Sequence, residues 1–592
     1  LWYLQVIKGE ELKQRSENNA VRFRKIQPLR GLVMDRHGTV MVDNRPSFDV
    51  LYMPTKGFDP DNLVQKMKDI YKTKSLDYSS GQPFPRTLKP YLPVRLEKNV
   101  SMEKVALVET NAVDLPGVYV DVTPIRLYVD GEIIAPIIGY TGEVSKEELE
   151  RSGDDYLSGD ITGKHGIEKI LDAYIRGRRG NELVEVNAFG KVIKNLGRID
   201  PSAGANVVLT IDARLQKAAW DAFEGKAGAA VVMDPRDGSI LAMVSLPSFD
   251  PNLFNSGIAR DEWSKLYRNP LNPLSNRAIS GQYPPGSTYK LIVAAAALEE
   301  GVITPETRIH CSGSFELGNR SYRCWKKHGH GSVNLHQALV GSCDVYFYTV
   351  GKMLGVDRIA RYARKFGLGS PTGIELFHER KGLVPTKEWK LARLKEPWQL
   401  GETISISIGQ GFNLTTPLQL AQAYSALANG GTRWRPHLVR RIELSDGSVV
   451  KEFLPEKMGA LELHPQTMEI LHRGLWGVVN EPGGTGAAAR VANADVCGKT
   501  GTSQVIGLPQ NDKARRQKKI AAFHKDHALF VCYAPMKNAE IAIAVVAENA
   551  GGGGAVAAPI ARKIMSAYFE GQKKEKAQNI AVSASTPEQA KN

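Results

Sequence analysis

The chain has 592 residues, carries a formal net charge of +14, and is 42% hydrophobic and 24% charged. That length excludes one small domain, and that composition excludes a mostly disordered or fibrous chain. The basic balance suits an anionic membrane surface or an anionic polymer, but no standard nucleic-acid motif occurs, so nucleic acid is not expected as a partner.

The chain contains no signal peptide and no apolar run long enough to cross a bilayer. It opens Leu1-Trp2-Tyr3-Leu4-Gln5-Val6-Ile7-Lys8. Trp and Tyr favour the membrane interface. The opening reads either as a segment just after a removed membrane anchor or as an ordinary amphipathic helix start. Residues 1–204 read as a mixed, elongated pedestal. It has short strands such as Gly117–Val122 and scattered helices such as Ile167–Ile175. Turn residues crowd Ser75–Pro93 and predict a loop or mobile insert.

Composition changes at Asp200-Pro201-Ser202-Ala203-Gly204, read as a linker. A strand over Asn206–Thr210 and a helix opening at Asp212 follow. Strands over Ala229–Met233 and Ser239–Val244 flank a hairpin signal, Asp234-Pro235-Arg236-Asp237-Gly238. Residues 287–475 are helix-rich. Strands return at Lys499–Val505, Ala528–Ala534 and Glu540–Val546, and residues 555–570 are apolar at helical spacing. The last stretch, 571–592, reads as a disordered tail. Strands, a helical block, strands and a terminal helix predict an α+β domain over 205–570, with helices packed on an antiparallel sheet.

Three short motifs stand in order in this domain. Ser287-Thr288-Tyr289-Lys290 follows Pro284-Pro285-Gly286 at a predicted helix start. Helix positions i and i+3 share a face, so Lys290 can reach the Ser287 oxygen and take its proton. Two other S-x-x-K matches, Ser101 to Lys104 and Ser448 to Lys451, lack this context. Strand residues three apart face opposite sides, which removes the second. Ser342-Cys343-Asp344 matches S-x-[ND], groups that relay protons. Lys499-Thr500-Gly501-Thr502 matches K-T-G-T on a strand. Gly501 would let a substrate backbone approach, and the strand edge can pair with an extended peptide.

In this order the motifs resemble those of the serine penicillin-recognising transpeptidases. Arg30-Gly31-Leu32-Val33-Met34-Asp35-Arg36-His37-Gly38, Gly163-Lys164-His165-Gly166-Ile167-Glu168 and Gly409-Gln410-Gly411 extend the resemblance to about residues 20–570. They point to the class B penicillin-binding proteins of the elongation machinery. The resemblance implies a peptidoglycan D,D-transpeptidase with a serine β-lactamase-like catalytic fold. It implies Ser287 as the acylated nucleophile and Lys290 as its base. Ser342 and Asp344 would support proton transfer, and Lys499, Thr500, Gly501 and Thr502 would bind substrate. Backbone N–H groups of Ser287 and Thr502 would form the oxyanion hole. Asp344 replaces the commoner asparagine.

The implied ligands are a stem peptide ending in D-Ala-D-Ala and the β-lactams that mimic it. The implied partners are a membrane-embedded SEDS-type, RodA-like glycosyltransferase and elongation scaffold proteins. The implied place is the inner membrane, with one N-terminal anchor and the catalytic domain in the periplasm. The rivals are a D,D-carboxypeptidase or β-lactamase of the same fold, and a β-lactam sensor or scaffold.

Of five cysteines, Cys311, Cys324 and Cys343 lie close in sequence with histidines between them. With His330 they match the donor set of a closed structural zinc site. His328 and His310 are rival ligands, and a Cys311–Cys324 disulfide is the alternative. The family resemblance favours zinc at these positions. Cys343 would then tether the catalytic loop from behind. Cys497 and Cys532 read as small buried hydrophobes. The basic segment 511–525 reads as a solvated loop, with a lid or partner surface as the rival reading.

Overall fold

The structure, a computed structural model, describes residues 21–585 apart from 55–59, 73–92, 153–154, 158, 187–191, 256, 493 and 506–521. The Leu1–Lys8 opening, all but the last residue of the Ser75–Pro93 insert and most of the 511–525 segment lie outside the described residues.

A five-stranded antiparallel sheet organises the catalytic part. Its order is Ile240–Leu246, Gly228–Met233, Ile541–Ala547, His527–Ala534 and Cys497–Ser503. The inner strands read as almost unbroken apolar runs because both faces are covered. Leu529, Val531 and Tyr533 enter one core, while Ala528, Phe530 and Cys532 enter the other. Helices Lys290–Glu299, Pro417–Ala428 and Pro465–Asn480 contribute to the first core. Helices Ala213–Ala222 and Ala557–Ser585 fill the second. The expected α+β architecture is the one observed.

The expected boundary at 204 does not separate two sheets. The strand Asn206–Leu209 pairs in parallel with Val33–Met34 of the pedestal and antiparallel with Val439–Glu443 of the catalytic part. The pedestal's long antiparallel pair, Val40–Tyr52 against Val118–Tyr128, continues this sheet. One hydrogen-bonded ladder thus runs from pedestal to catalytic core, which resists hinging better than a polar linker would.

Two sequence motifs brace the pedestal. Glu168 is fully buried and accepts from Arg30 Nη2 and Arg126 Nε, each at 2.7 Å. Arg30 also meets Asp172 at 2.8 Å. Burial alone would raise the Glu168 carboxyl, but Arg126 and Arg30 outweigh it and hold the group below its usual value. The predicted helix over Ile167–Ile175 divides into two short helices, Gly166–Ile170 and Asp172–Ile175.

The C-terminal expectation is corrected. The last helix continues through Gly571 to Ser585. Gln, Lys, Glu and Ala in this stretch are strong helix formers. Glu575 is also anchored, by an ion pair with Arg214 and by His37 Nε2 at 3.6 Å. Residues 586–592 lie outside the described residues.

Candidate active site

The nucleophile candidate sits in a turn rather than in a regular helix. Gly286–Tyr289 forms a 3₁₀ turn, and the α-helix begins at Lys290. In a 3₁₀ turn positions i and i+3 eclipse, so Ser287 and Lys290 stay on one side. Gly286 has φ +55°, and a Cβ there would lie 2.6 Å from the Thr502 carbonyl. Its N–H donates to Gly409 O at 2.9 Å. The Ser287 turn is therefore wedged between the Thr502 strand and the Gly409 loop, which only glycine at 286 allows.

Ser342-Cys343-Asp344 approaches from the facing helix, Asp344–Leu354, for which Cys343 is the N-cap. Lys290 Nζ donates to Ser342 O at 2.8 Å, to Ser342 Oγ at 3.2 Å and to Asp344 Oδ1 at 2.7 Å. Lys290 thus forms an ion pair with Asp344 rather than a hydrogen bond with Ser287. The reason is burial. Lys290 has no exposed surface, and a buried ammonium takes a carboxylate before a neutral hydroxyl.

Lys499 lies on the edge strand Cys497–Ser503, also without exposed surface. Its Nζ lies within hydrogen-bond distance of Ser342 Oγ, at 2.8 Å. Burial, then the neighbouring Lys290 charge, push its proton affinity well below the ordinary 10.5, against the opposing pull of Asp344. Two amines therefore share one hydroxyl, while the Asp344 carboxylate pairs with Lys290 alone of the two. Electrostatics favours leaving one amine neutral.

The rest of K-T-G-T shapes the groove. The strand Cys497–Ser503 ends its sheet, so one edge faces no other strand among the described residues. Thr500 Oγ1 lies 2.8 Å from Thr485 Oγ1, and Thr502 is exposed. Gly501 does something the sequence reading missed. A Cβ there would meet Pro285 O and Thr288 Cγ2, each at 3.0 Å. Its bare α-carbon seats the nucleophile turn against the strand.

The other S-x-x-K matches find ordinary places. Ser101 caps the helix Met102–Thr110, accepting from Lys104 N at 3.4 Å. Ser448 precedes the exposed hairpin strand Val449–Glu452.

The cysteine reading brings four side chains together. One ligand atom from each of Cys311, Cys324, His330 and Cys343 lies within 4.8 Å of the others. Tetrahedral zinc with bonds of about 2.3 Å to sulfur and 2.0 Å to nitrogen sets its ligands about 3.5–3.8 Å apart. The Cys311 and Cys324 sulfurs lie 3.7 and 3.5 Å from His330 Nδ1. Interaction between the two thiols lowers the proton affinity of Cys324 and raises that of Cys343. The four residues fit a zinc ion. The rival ligands His310 and His328 are exposed and stand outside the cluster, and all five cysteines are free and buried. Cys497 and Cys532 sit on adjacent strands inside the two cores.

Two further residues escaped the motif search. Gln410 Nε2 donates to Thr502 O at 2.9 Å; its flanking glycines were noticed, but its role was not. Trp325 N donates to Asp344 Oδ2 at 2.9 Å, and only its position beside Cys324 could have drawn attention to it.

Comparison with known proteins agrees with this geometry. Residues 228–566 match the family model described as penicillin binding protein transpeptidase domain, and residues 25–209 match that of the penicillin-binding protein dimerisation domain. The chain belongs to the penicillin-binding protein transpeptidase family. It is 38% identical to peptidoglycan D,D-transpeptidase MrdA of Haemophilus influenzae, over 96% of this chain and 88% of the relative. A penicillin-binding protein (PBP2) from Helicobacter pylori, solved in complex with MreC, superposes with a TM-score of 0.78 at 28% identity. That match covers 93% of this chain and 99% of the other. A chain from a peptidoglycan synthase complex that coordinates polymerization and crosslinking superposes with a TM-score of 0.71 at 31% identity, covering 96% and 95% of the two chains.

Proposed function

We propose that this protein is a peptidoglycan D,D-transpeptidase that cross-links stem peptides during lateral wall elongation and is acylated by β-lactams. The observation that carries this reading is the hydroxyl of Ser342, shared by Lys290, which opens the helix after the Ser287 turn, and Lys499.

With Lys499 neutral, the Ser342 hydroxyl donates to Lys499 while accepting from the Lys290 ammonium. One concerted shift moves a proton from Lys290 to Ser342 and from Ser342 to Lys499. Lys290 is then neutral and takes the Ser287 proton as Oγ attacks the penultimate D-Ala carbonyl. The C–N bond breaks, and D-Ala leaves with a proton returned through Lys290. The amine of a second stem attacks the ester, its proton enters the same relay, and Ser287 is released protonated. Backbone N–H groups of Ser287 and Thr502 would hold the carbonyl oxygen. Thr500 and Thr502 would bind the terminal carboxylate, and the open strand edge would pair with the stem.

Cys311, Cys324, His330 and Cys343 would hold a structural zinc ion. Its contribution would be to fix the loop carrying Ser342 and Asp344, not to enter the reaction. The domain division we adopt is a pedestal over 1–204 and a catalytic domain over 205–570. We place the enzyme at the periplasmic face of the inner membrane, held by an anchor, as peptidoglycan lies outside that membrane. No helix among the described residues is long and apolar enough to cross one. One relative was solved with MreC and another belongs to a complex coordinating polymerization and crosslinking, which supports an MreC-like scaffold and a polymerising partner; we assign the latter to a RodA-like glycosyltransferase.

Labelling with a fluorescent penicillin tests the reading. Wild type should form a covalent adduct and Ser287→Ala should form none; an adduct retained by the variant refutes the nucleophile assignment.

A further inference from the structure

We propose that Trp325 is a positioning residue for the proton relay, a role that rests on the transpeptidase reading above. The indole N–H donates to Gly341 O at 3.0 Å and to Ser342 O at 3.2 Å. The backbone N–H of the same residue donates to Asp344 Oδ2 at 2.9 Å. One residue therefore clamps the relay turn at both ends. What it clamps is strained: Ser342 has φ +52°, a conformation that non-glycine residues seldom adopt. Such a residue holds its shape only where its surroundings over-determine it.

The second oxygen of Asp344 matters as much. Oδ1 receives the Lys290 ammonium, and the Trp325 N–H on Oδ2 fixes the rotation of the carboxylate that aims Oδ1. Ser342 O is also shared, since it accepts from both Lys290 and the indole. Trp325 thus sets where Lys290 stands without touching it.

The ring itself does little for the core. It is 61% exposed and meets His330 edge-on at 5.5 Å between centroids. A tryptophan placed for burial would be covered. This one is held by its N–H groups, with its edge on the cysteine–histidine cluster and its donors on the catalytic turn.

Trp325→Phe keeps a ring beside His330 and the backbone N–H but removes the indole donor. Stopped-flow acylation by a chromogenic β-lactam separates the initial binding constant from the acylation rate constant. Losing one donor to a strained, buried carbonyl should slow acylation about tenfold and change initial binding less than about twofold. Trp325→His, which retains a ring N–H, should recover part of the rate. Thermal unfolding should shift little in either variant. An acylation rate equal to wild type overturns the proposal. Weakened binding with an unchanged rate constant also overturns it, because Trp325 would then contact the substrate directly. A Phe variant that is destabilised, with His giving no recovery, overturns it in favour of a purely structural role. If wild type itself is not acylated, the transpeptidase reading fails before this one is reached.

Discussion

Replacing Lys499 by Met should make the protein more stable and much less active. Lys499 is fully buried, and its amine has no carboxylate hydrogen-bonded to it; its partners are Ser342 Oγ and Thr500 O. Desolvation is the first cause of its lowered proton affinity, so the folded state discourages a charge that the unfolded chain accepts freely. Between the lowered value and 10.5 the unfolded chain binds more protons than the folded one, so wild-type stability rises with pH across that window. Met fills a similar volume without an amine. Met removes the cost of giving up that proton on folding, about 1.4 kcal/mol for each unit below 10.5 and at most about 5 kcal/mol at pH 7, against about 2 kcal/mol for the two hydrogen bonds lost. The pH slope should flatten in the same variant. Activity should move the other way, because the relay loses its end point; positioned proton transfer accounts for about 10²–10⁴-fold in rate. Urea unfolding at two pH values and stopped-flow acylation measure the two effects. A variant that acylates at the wild-type rate, or that is less stable with the slope intact, would refute the reasoning.

Other predictions concern the pedestal and the metal. Glu168→Ala leaves Arg30 and Arg126 buried around a missing charge and should cost about 3–5 kcal/mol at neutral pH. Because the folded state lowers the Glu168 carboxyl, its stabilisation is present above 4.5 and lost as pH falls through the still lower folded value. Acid unfolding curves of wild type and variant should therefore converge below that point; a constant gap would argue against the charge pairing. Purified protein should contain close to one equivalent of zinc, and a chelator should lower its unfolding temperature. Less than about 0.1 equivalent, with Cys311 and Cys324 joined by a disulfide, would remove the zinc reading.

The legible parts of the sequence were those with local causes. The strands Gly228–Met233, His527–Ala534 and Ile541–Ala547 appear as apolar runs because both faces of each are covered. Asp212 marks its helix start because its side chain caps that helix. The illegible parts depended on distant partners. Lys290 reads from sequence against Ser287, its neighbour, while its nearest acceptors lie at the start of another helix and in the turn before it. The tail from Gly571 looked disordered because its polar residues suggest solvent, yet Glu575 meets Arg214 and His37 from far upstream. Trp325 has no motif at all; its meaning comes from two carbonyls and a carboxylate folded against it.

The sequence by itself determined the reaction class, since the serine, the two lysines and the K-T-G-T strand are side-chain identities in a fixed order. It also singled out Cys311, Cys324, His330 and Cys343 as candidate metal donors, which the fold brings together. Tertiary structure alone decided how these groups share protons. Lys290, Ser342 and Lys499 are separated by 52 and 157 residues and meet only after the helical block packs on the sheet. Which of two amines loses its charge depends on burial and on the carboxylate that pairs with Lys290, and neither is written in local spacing.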